Sequence, residues 1–129
     1  MADEALSGFD AICRREGWTR EGPWAIVPVA GGRRQRVGAD VLDADGEQVM
    51  RVYTIVGNAA VLNQPRLLAA LRMNARFRHG AFAIRDDDLA LIDTFPLRGA
   101  DPSAIAVSIR YLAAKADDLE RVLFGTDER

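Results

Sequence analysis

VGADVLDADGEQVMRVYTI, residues 37–55, alternates apolar and polar side chains on either side of Asp45-Gly46. An Asp-Gly pair is a preferred centre for a two-residue type I′ turn, in which both central residues take positive φ. Centring the turn there sets every cross-strand partner. Val37 faces Thr54, Ala39 faces Val52 and Val41 faces Met50 on one side, which is apolar enough to be core. On the other side Gly38 faces Tyr53, Asp40 faces Arg51 and Leu42 faces Val49. The second face also makes sense, because Asp40 and Arg51 carry opposite charges and the Tyr53 ring can cover the backbone left bare by Gly38. A hairpin whose two faces both agree with one register predicts an antiparallel sheet.

That outer face keeps Leu42, Val49, Tyr53 and Ile55, more apolar surface than a fully solvated sheet face carries. Cover by the protein's own loops, by a ligand or by another chain is expected there. Upstream, Trp24-Ala25-Ile26-Val27 reads as a strand, and Pro28, which has no N–H to donate, places it at a sheet margin. From Asp3 to about Glu16, Ala5, Leu6, Phe9, Ile12 and Cys13 recur at three- and four-residue steps and define an amphipathic helix that Gly17 stops.

Downstream, Pro65 suits a first helical turn, and Leu67, Leu68, Leu71 and Ala75 predict a buried stripe running to about Phe77. After Gly80, a turn centred on Asp86-Asp87 sets Ile84 against Leu89 and Phe82 against Leu91 as a second apolar face. Its reverse carries Ala81, Ala83, Ala90, Ile92 and Thr94. Asp101 is an N-cap with Pro102 after it, and Ile105, Ile109, Leu112, Ala116, Leu119 and Leu123 then mark a long helix ended by Gly125, with a frayed tail from Thr126. The expected fold is one α+β domain spanning residues 1–129, ordered α-β-β-β-α-β-β-α, with helices packed on a twisted antiparallel sheet.

A chain of 129 residues with 49% hydrophobic and 28% charged content fits one such domain with a real core. Its 17 basic and 19 acidic residues leave a net charge of -2 and are dispersed, so neither nucleic acid nor an anionic membrane is the expected partner. The start of the chain lacks a basic and apolar secretion signal, and no apolar run approaches membrane-spanning length, so the cytoplasm is the expected compartment. Cys13 is the only cysteine and has no internal partner for a disulfide; among Leu6, Phe9 and Ile12 it reads as a small buried apolar group.

The residues that carry chemistry elsewhere are not assembled here. His79, the only histidine, sits at a basic helix exit between Arg78 and Gly80 with Arg76 nearby, as a solvated loop residue rather than a base. Asp86-Asp87-Asp88 lacks a supporting histidine or cysteine and reads as a hairpin turn, and residues 43–47 lack the terminal glutamate of a calcium loop. No metal, cofactor or catalytic group is therefore expected. Gly31-Gly32 followed by Arg33, Arg34 and Arg36 can hold an anion on its basic rim, although no phosphate-loop fingerprint accompanies it. Trp18 and Trp24 flank that connection as packing or anchoring groups.

Five segments taken in order resemble the YbjN domain family, within the wider superfamily of type III secretion chaperone-like folds. They are Arg34-Gln35-Arg36-Val37, Leu71-Arg72-Met73-Asn74 ahead of Phe77, Gly80-Ala81-Phe82-Ala83-Ile84, Phe95-Pro96-Leu97 and Ala116-Asp117-Asp118-Leu119-Glu120. The resemblance implies helices on one face of a twisted antiparallel sheet, a homodimer, and no enzymatic reaction. It also implies chaperone-like binding of a partner's extended segment or a part in regulating sensory transduction. The apolar outer face then nominates Trp24, Val49, Arg51, Tyr53 and Ile55 as partner-binding residues, with the Trp24 to Val29 edge as a second mode. Two other functions remain open: an anion- or small-metabolite-binding regulator using Arg33, Arg34 and Arg36, and a structural homodimer subunit.

Overall fold

The computed structural model describes residues 2–125. The tail from Thr126 and the side chain of Ala5 lie outside the described residues. Six strands form one antiparallel sheet: β1 (Thr19–Glu21), β2 (Trp24–Pro28), β3 (Arg34–Ala44), β4 (Glu47–Asn58), β5 (Ala81–Arg85) and β6 (Asp88–Pro96), in spatial order β1-β2-β3-β4-β6-β5. Three helices accompany them, α1 (Ala2–Glu16), α2 (Gln64–Met73) and α3 (Pro102–Phe124). The expected α+β order stands, with the three-residue β1 added ahead of the first expected strand. Trp24 to Val27 is therefore not the margin: β1 pairs with β2 from Trp24 to Ile26 and stops short of Pro28, the residue that has no N–H to offer. No helix is long and apolar enough to cross a membrane among the described residues.

Both hairpins follow the turn chemistry. Asp45 and Gly46 take φ of 52° and 85°, and the ladder runs from Ala44↔Glu47 to Gly38↔Tyr53 in the expected register. Asp86 takes φ 55°, and β5 pairs with β6 through Ile84↔Leu89 and Phe82↔Leu91. The expected Val37–Thr54 pair is not made. The ladder between β3 and β4 ends at Gly38↔Tyr53, while on its other side β3 stays paired with β2 through Ala25↔Val37, so β3 parts from β4 at that point and the sheet forks.

Side chains fill the fork where ladder bonds stop. The Thr54 hydroxyl, fully buried, donates to the Arg36 carbonyl at 2.7 Å and accepts from the Gln35 amide at 2.8 Å. The same amide nitrogen donates to the Ile55 carbonyl at 3.1 Å. Beyond the fork β4 stays paired with β6 alone, through an irregularity between Ile55 and Gly57 that bends the strand. Gly57 then faces the helices, where the Phe124 ring occupies the space a β-carbon would take, 2.5 Å from its nearest atom.

The core lies between the sheet and the helices. Val37, Met50, Val52, Phe82, Leu89 and Leu91 pack there against Phe9, Ile12 and Cys13 of α1 and the six expected stripe residues of α3, all buried. Capping holds α3 at both ends: the Asp101 side chain accepts from the Ser103 N–H at 3.0 Å, and Gly125 closes the helix at φ 59°. α2 departs from expectation. Ala70 is its one buried residue, while Leu68 and Leu71 are 43% and 60% exposed and Ala75 is exposed as well. The helix meets the body through Ala70 and the half-buried Met73, and Leu68 and Leu71 point elsewhere. Ile84 is likewise 57% exposed, because β5 is the sheet edge and Ile84 lies at its hairpin end.

Candidate functional site

The fork between β3 and β4 opens into a groove of about 470 Å³. Its apolar lining is Trp24 and Ile26 from β2 and Ile55 from β4; its charged lining is Arg34 and Arg36 from β3, Glu21 from β1 and Glu120 from α3. The alternation of β2 and β3 puts Trp24, Ile26 and Arg36 on one face. Parting of the strands brings Gln35 and Ile55 to the same opening, and the last turns of α3 supply Glu120.

At one end the lining is backed by a second aromatic ring. Trp24 meets Tyr53 edge-on, with centroids 5.6 Å apart at 69°. Tyr53 lies on Gly38, where a β-carbon would come within 2.7 Å of the ring. The Arg85 guanidinium covers the same ring at 3.8 Å and reaches Asp40 with a 2.6 Å ion pair. Arg85 belongs to β5 and Asp40 to β3, so this side chain crosses the outer face of β6 and β4. Burial raises the Tyr53 pKa, against the opposing pull of Arg85. The protein's own side chains thus bury Tyr53 at 7% exposure, and Val49 is buried too.

The expected Asp40–Arg51 charge pair is corrected by this arrangement. The two residues are cross-strand partners, but Asp40 pairs with Arg85, and the Arg51 Nε donates to the Thr94 hydroxyl at 3.1 Å. Of the nominated partner-binding residues, Trp24 and Ile55 share the groove and Tyr53 adjoins it through Trp24, while Arg51 and Val49 lie further along β4. Trp18 is buried in the core.

The three nominated anion-binding arginines separate. Arg33 is held by Asp117 of α3, with Nε 3.0 and 3.1 Å from the two carboxylate oxygens and an Nη 2.6 Å from one of them. These hydrogen bonds, joined by the charges of Arg33 and Arg121, hold the Asp117 carboxyl below the usual carboxylate range despite its burial. Gly31, at φ 75°, leaves room for the Arg33 side chain that a β-carbon would strike at 2.7 Å. Arg36 pairs loosely with Glu21 at 3.7 Å, and Arg34 lines the groove with Glu120. Two carboxylates share the opening with two guanidinium groups, so it suits a segment carrying both charges better than a bare anion.

Glu21, Ile26, Gln35 and Glu120 complete the groove and carry no sequence signal for it. Glu120 and Arg34 lie far apart in the chain, and only packing of α3 against β2 and β3 joins them. Arg85 likewise reads as a hairpin-end residue until the sheet brings Tyr53 beneath it. Among the described residues, no group of three or more histidine, cysteine or acidic side chains is placed to hold a metal ion.

No protein-family model and no curated protein sequence matches the chain. In fold the chain is similar to a chain of the solved HopA1-SchA chaperone-effector complex, with a TM-score of 0.54 and 7% sequence identity over 98% of this chain and 99% of that one. The likeness therefore covers the sheet and all three helices, and it is a likeness of fold.

Proposed function

We propose that this protein is a non-enzymatic, chaperone-like interaction module of the YbjN family, acting in the cytoplasm, that binds an extended segment of a partner protein in the groove at the sheet fork. The observation that carries the reading is the groove itself, which unites Trp24, Ile26 and Ile55 with Arg34 and Arg36 opposite Glu21 and Glu120. Its likeness in fold to a chain of a chaperone-effector complex supports the same reading. Burying two apolar side chains of a partner contributes about 3–6 kcal/mol. Micromolar affinity, about 8 kcal/mol, then draws the remainder from the charged rim and main chain.

A Trp18→Phe variant leaves Trp24 as the sole indole reporter of the groove. Titrating it with a panel of extended peptides that carry two apolar residues and mixed charge is expected to give saturable changes in Trp24 emission, and Ile55→Glu is expected to abolish them. A panel that produces no saturable change, or binding untouched by Ile55→Glu, would overturn the assignment.

The module self-associates in this reading. Leu68 and Leu71 on α2 and Ile84 on the edge strand are large, exposed and apolar, and scattered surface leucines rarely follow one another at helical spacing without cover. Sedimentation velocity is expected to show a dimer that the pair Leu68→Glu and Leu71→Glu converts to a folded monomer.

A further inference from the structure

Residues 49–85 contain six arginines and the single histidine, and none of the chain's 19 acidic residues. Three of those arginines are occupied elsewhere: Arg51 by Thr94, Arg66 by the Leu123 carbonyl and Arg85 by Asp40. Of the rest, Arg78 and the histidine meet at Tyr111, where a lysine of α3 joins them. Arg78 holds its guanidinium 5.3 Å from the Tyr111 ring centroid, Lys115 its ammonium 5.6 Å, and His79 stands edge-on at 5.2 Å. Lys115 also lies 6.0 Å from the Phe77 ring, and Arg76 is exposed alongside in sequence. Among the described residues, no carboxylate forms an ion pair with Arg72, Arg76, Arg78 or Lys115.

The helix dipole accounts for part of this. Arg72 lies in the last turn of α2, and Arg76 ends the one-turn helix Asn74–Arg76 that follows, where cations are favoured. It does not account for Arg78 beyond that turn, nor for Lys115 in the interior of α3. Cation–π contact at an exposed ring is worth about 0.5–1 kcal/mol and leaves the positive charge in place. The result is a basic, aromatic surface on a protein of net charge -2.

We propose that the surface built on Tyr111 docks a glutamate- or aspartate-rich segment of a partner polypeptide. A compact phosphate site needs donors converging on one point, usually including backbone N–H groups. Here the Arg78 N–H is already donated to the Tyr111 hydroxyl at 3.1 Å, and each cation is placed by the ring rather than by a shared centre. Cations set out along aromatic carbon match separated carboxylates with apolar residues between them, which Phe77 and Tyr111 can contact. The surface is distinct from the groove at the fork, and its failure would leave the groove reading standing.

The test is fluorescence anisotropy with the full chain and a fluorescein-labelled dodecapeptide of alternating glutamate and leucine. Saturable binding is expected, weakening steeply as salt is raised. The double variant Arg78→Glu and Lys115→Glu is expected to weaken it at least tenfold, as is replacing every glutamate of the peptide with glutamine. Arg34→Glu with Arg36→Glu, in the groove, is expected to change it less than twofold. Circular dichroism checks that each variant is folded, and Arg78→Gln with Lys115→Gln serves if the charge reversal is not. Equal binding by the Arg78 and Lys115 variants, or loss confined to the groove variant, overturns the proposal. So does tighter binding of a twelve-nucleotide single strand or of anionic phospholipid vesicles than of the peptide.

Discussion

Two side chains are held by contacts specific enough to be tested singly. Gly38 supports the Tyr53 ring at a distance that no β-carbon tolerates, so Gly38→Ala must displace a ring locked between Trp24 and Arg85. The expected loss is about 1–3 kcal/mol in urea unfolding, as for other overpacked sites. Asp117 makes three hydrogen bonds to Arg33, and Arg33→Ala is expected to cost about 1–3 kcal/mol at neutral pH. The pH dependence follows from the direction of the Asp117 shift. Its folded pKa lies below the unfolded value, so the pair stabilises fully above the ordinary aspartate pKa of about 4 and is lost as pH falls through the folded value. Unfolding measured at pH 7 and near pH 3 should therefore show the gap between the native chain and Asp117→Asn narrowing in acid.

Among the elements, α3 carries the most of the core and α2 the least. Ile109 is fully buried at the centre of α3, and Ile109→Ala is expected to cost about 2–5 kcal/mol by denaturant unfolding, with the span set by how far the sheet can close on the cavity. The hairpins and α3 were legible from residues alone, because their signals are local: Asp45-Gly46 and Asp86 dictate the turns, and Asp101, Pro102 and Gly125 mark the ends of one unbroken apolar period. α2 shows the opposite. Leu67, Leu68, Leu71 and Ala75 form as good a stripe on paper, yet the helix buries Ala70 and leaves Leu68 and Leu71 exposed. Periodicity says that a face is apolar, and it does not say what covers that face.

At the scale of the whole molecule, the decisive feature is the parting of β3 from β4. Thr54 and Gln35 hold the fork with side-chain hydrogen bonds in the core, so Thr54→Val leaves the Arg36 carbonyl and the Gln35 amide without that partner. A loss of about 1–3 kcal/mol is expected. Hydrogen exchange should quicken in residues 34–37 and 54–58, while the hairpin ladder from Gly38 to Ala44 keeps its protection. The candidate site was only partly legible for the same reason. Trp24, Ile55, Arg34 and Arg36 stood out as apolar or basic residues, but the groove that unites them arises where a register that is correct from Ala44 to Gly38 stops being followed. Local chemistry, acting over a few residues, determined the turns, the caps, the sequence of elements and the pairing of each hairpin. Contacts between distant segments decided the rest: the β3–β4 ladder stops short of Val37 and Thr54, Asp40 binds Arg85 rather than Arg51, and Arg33 is taken by Asp117, because each outcome depends on strands and helices that only the folded chain brings within reach.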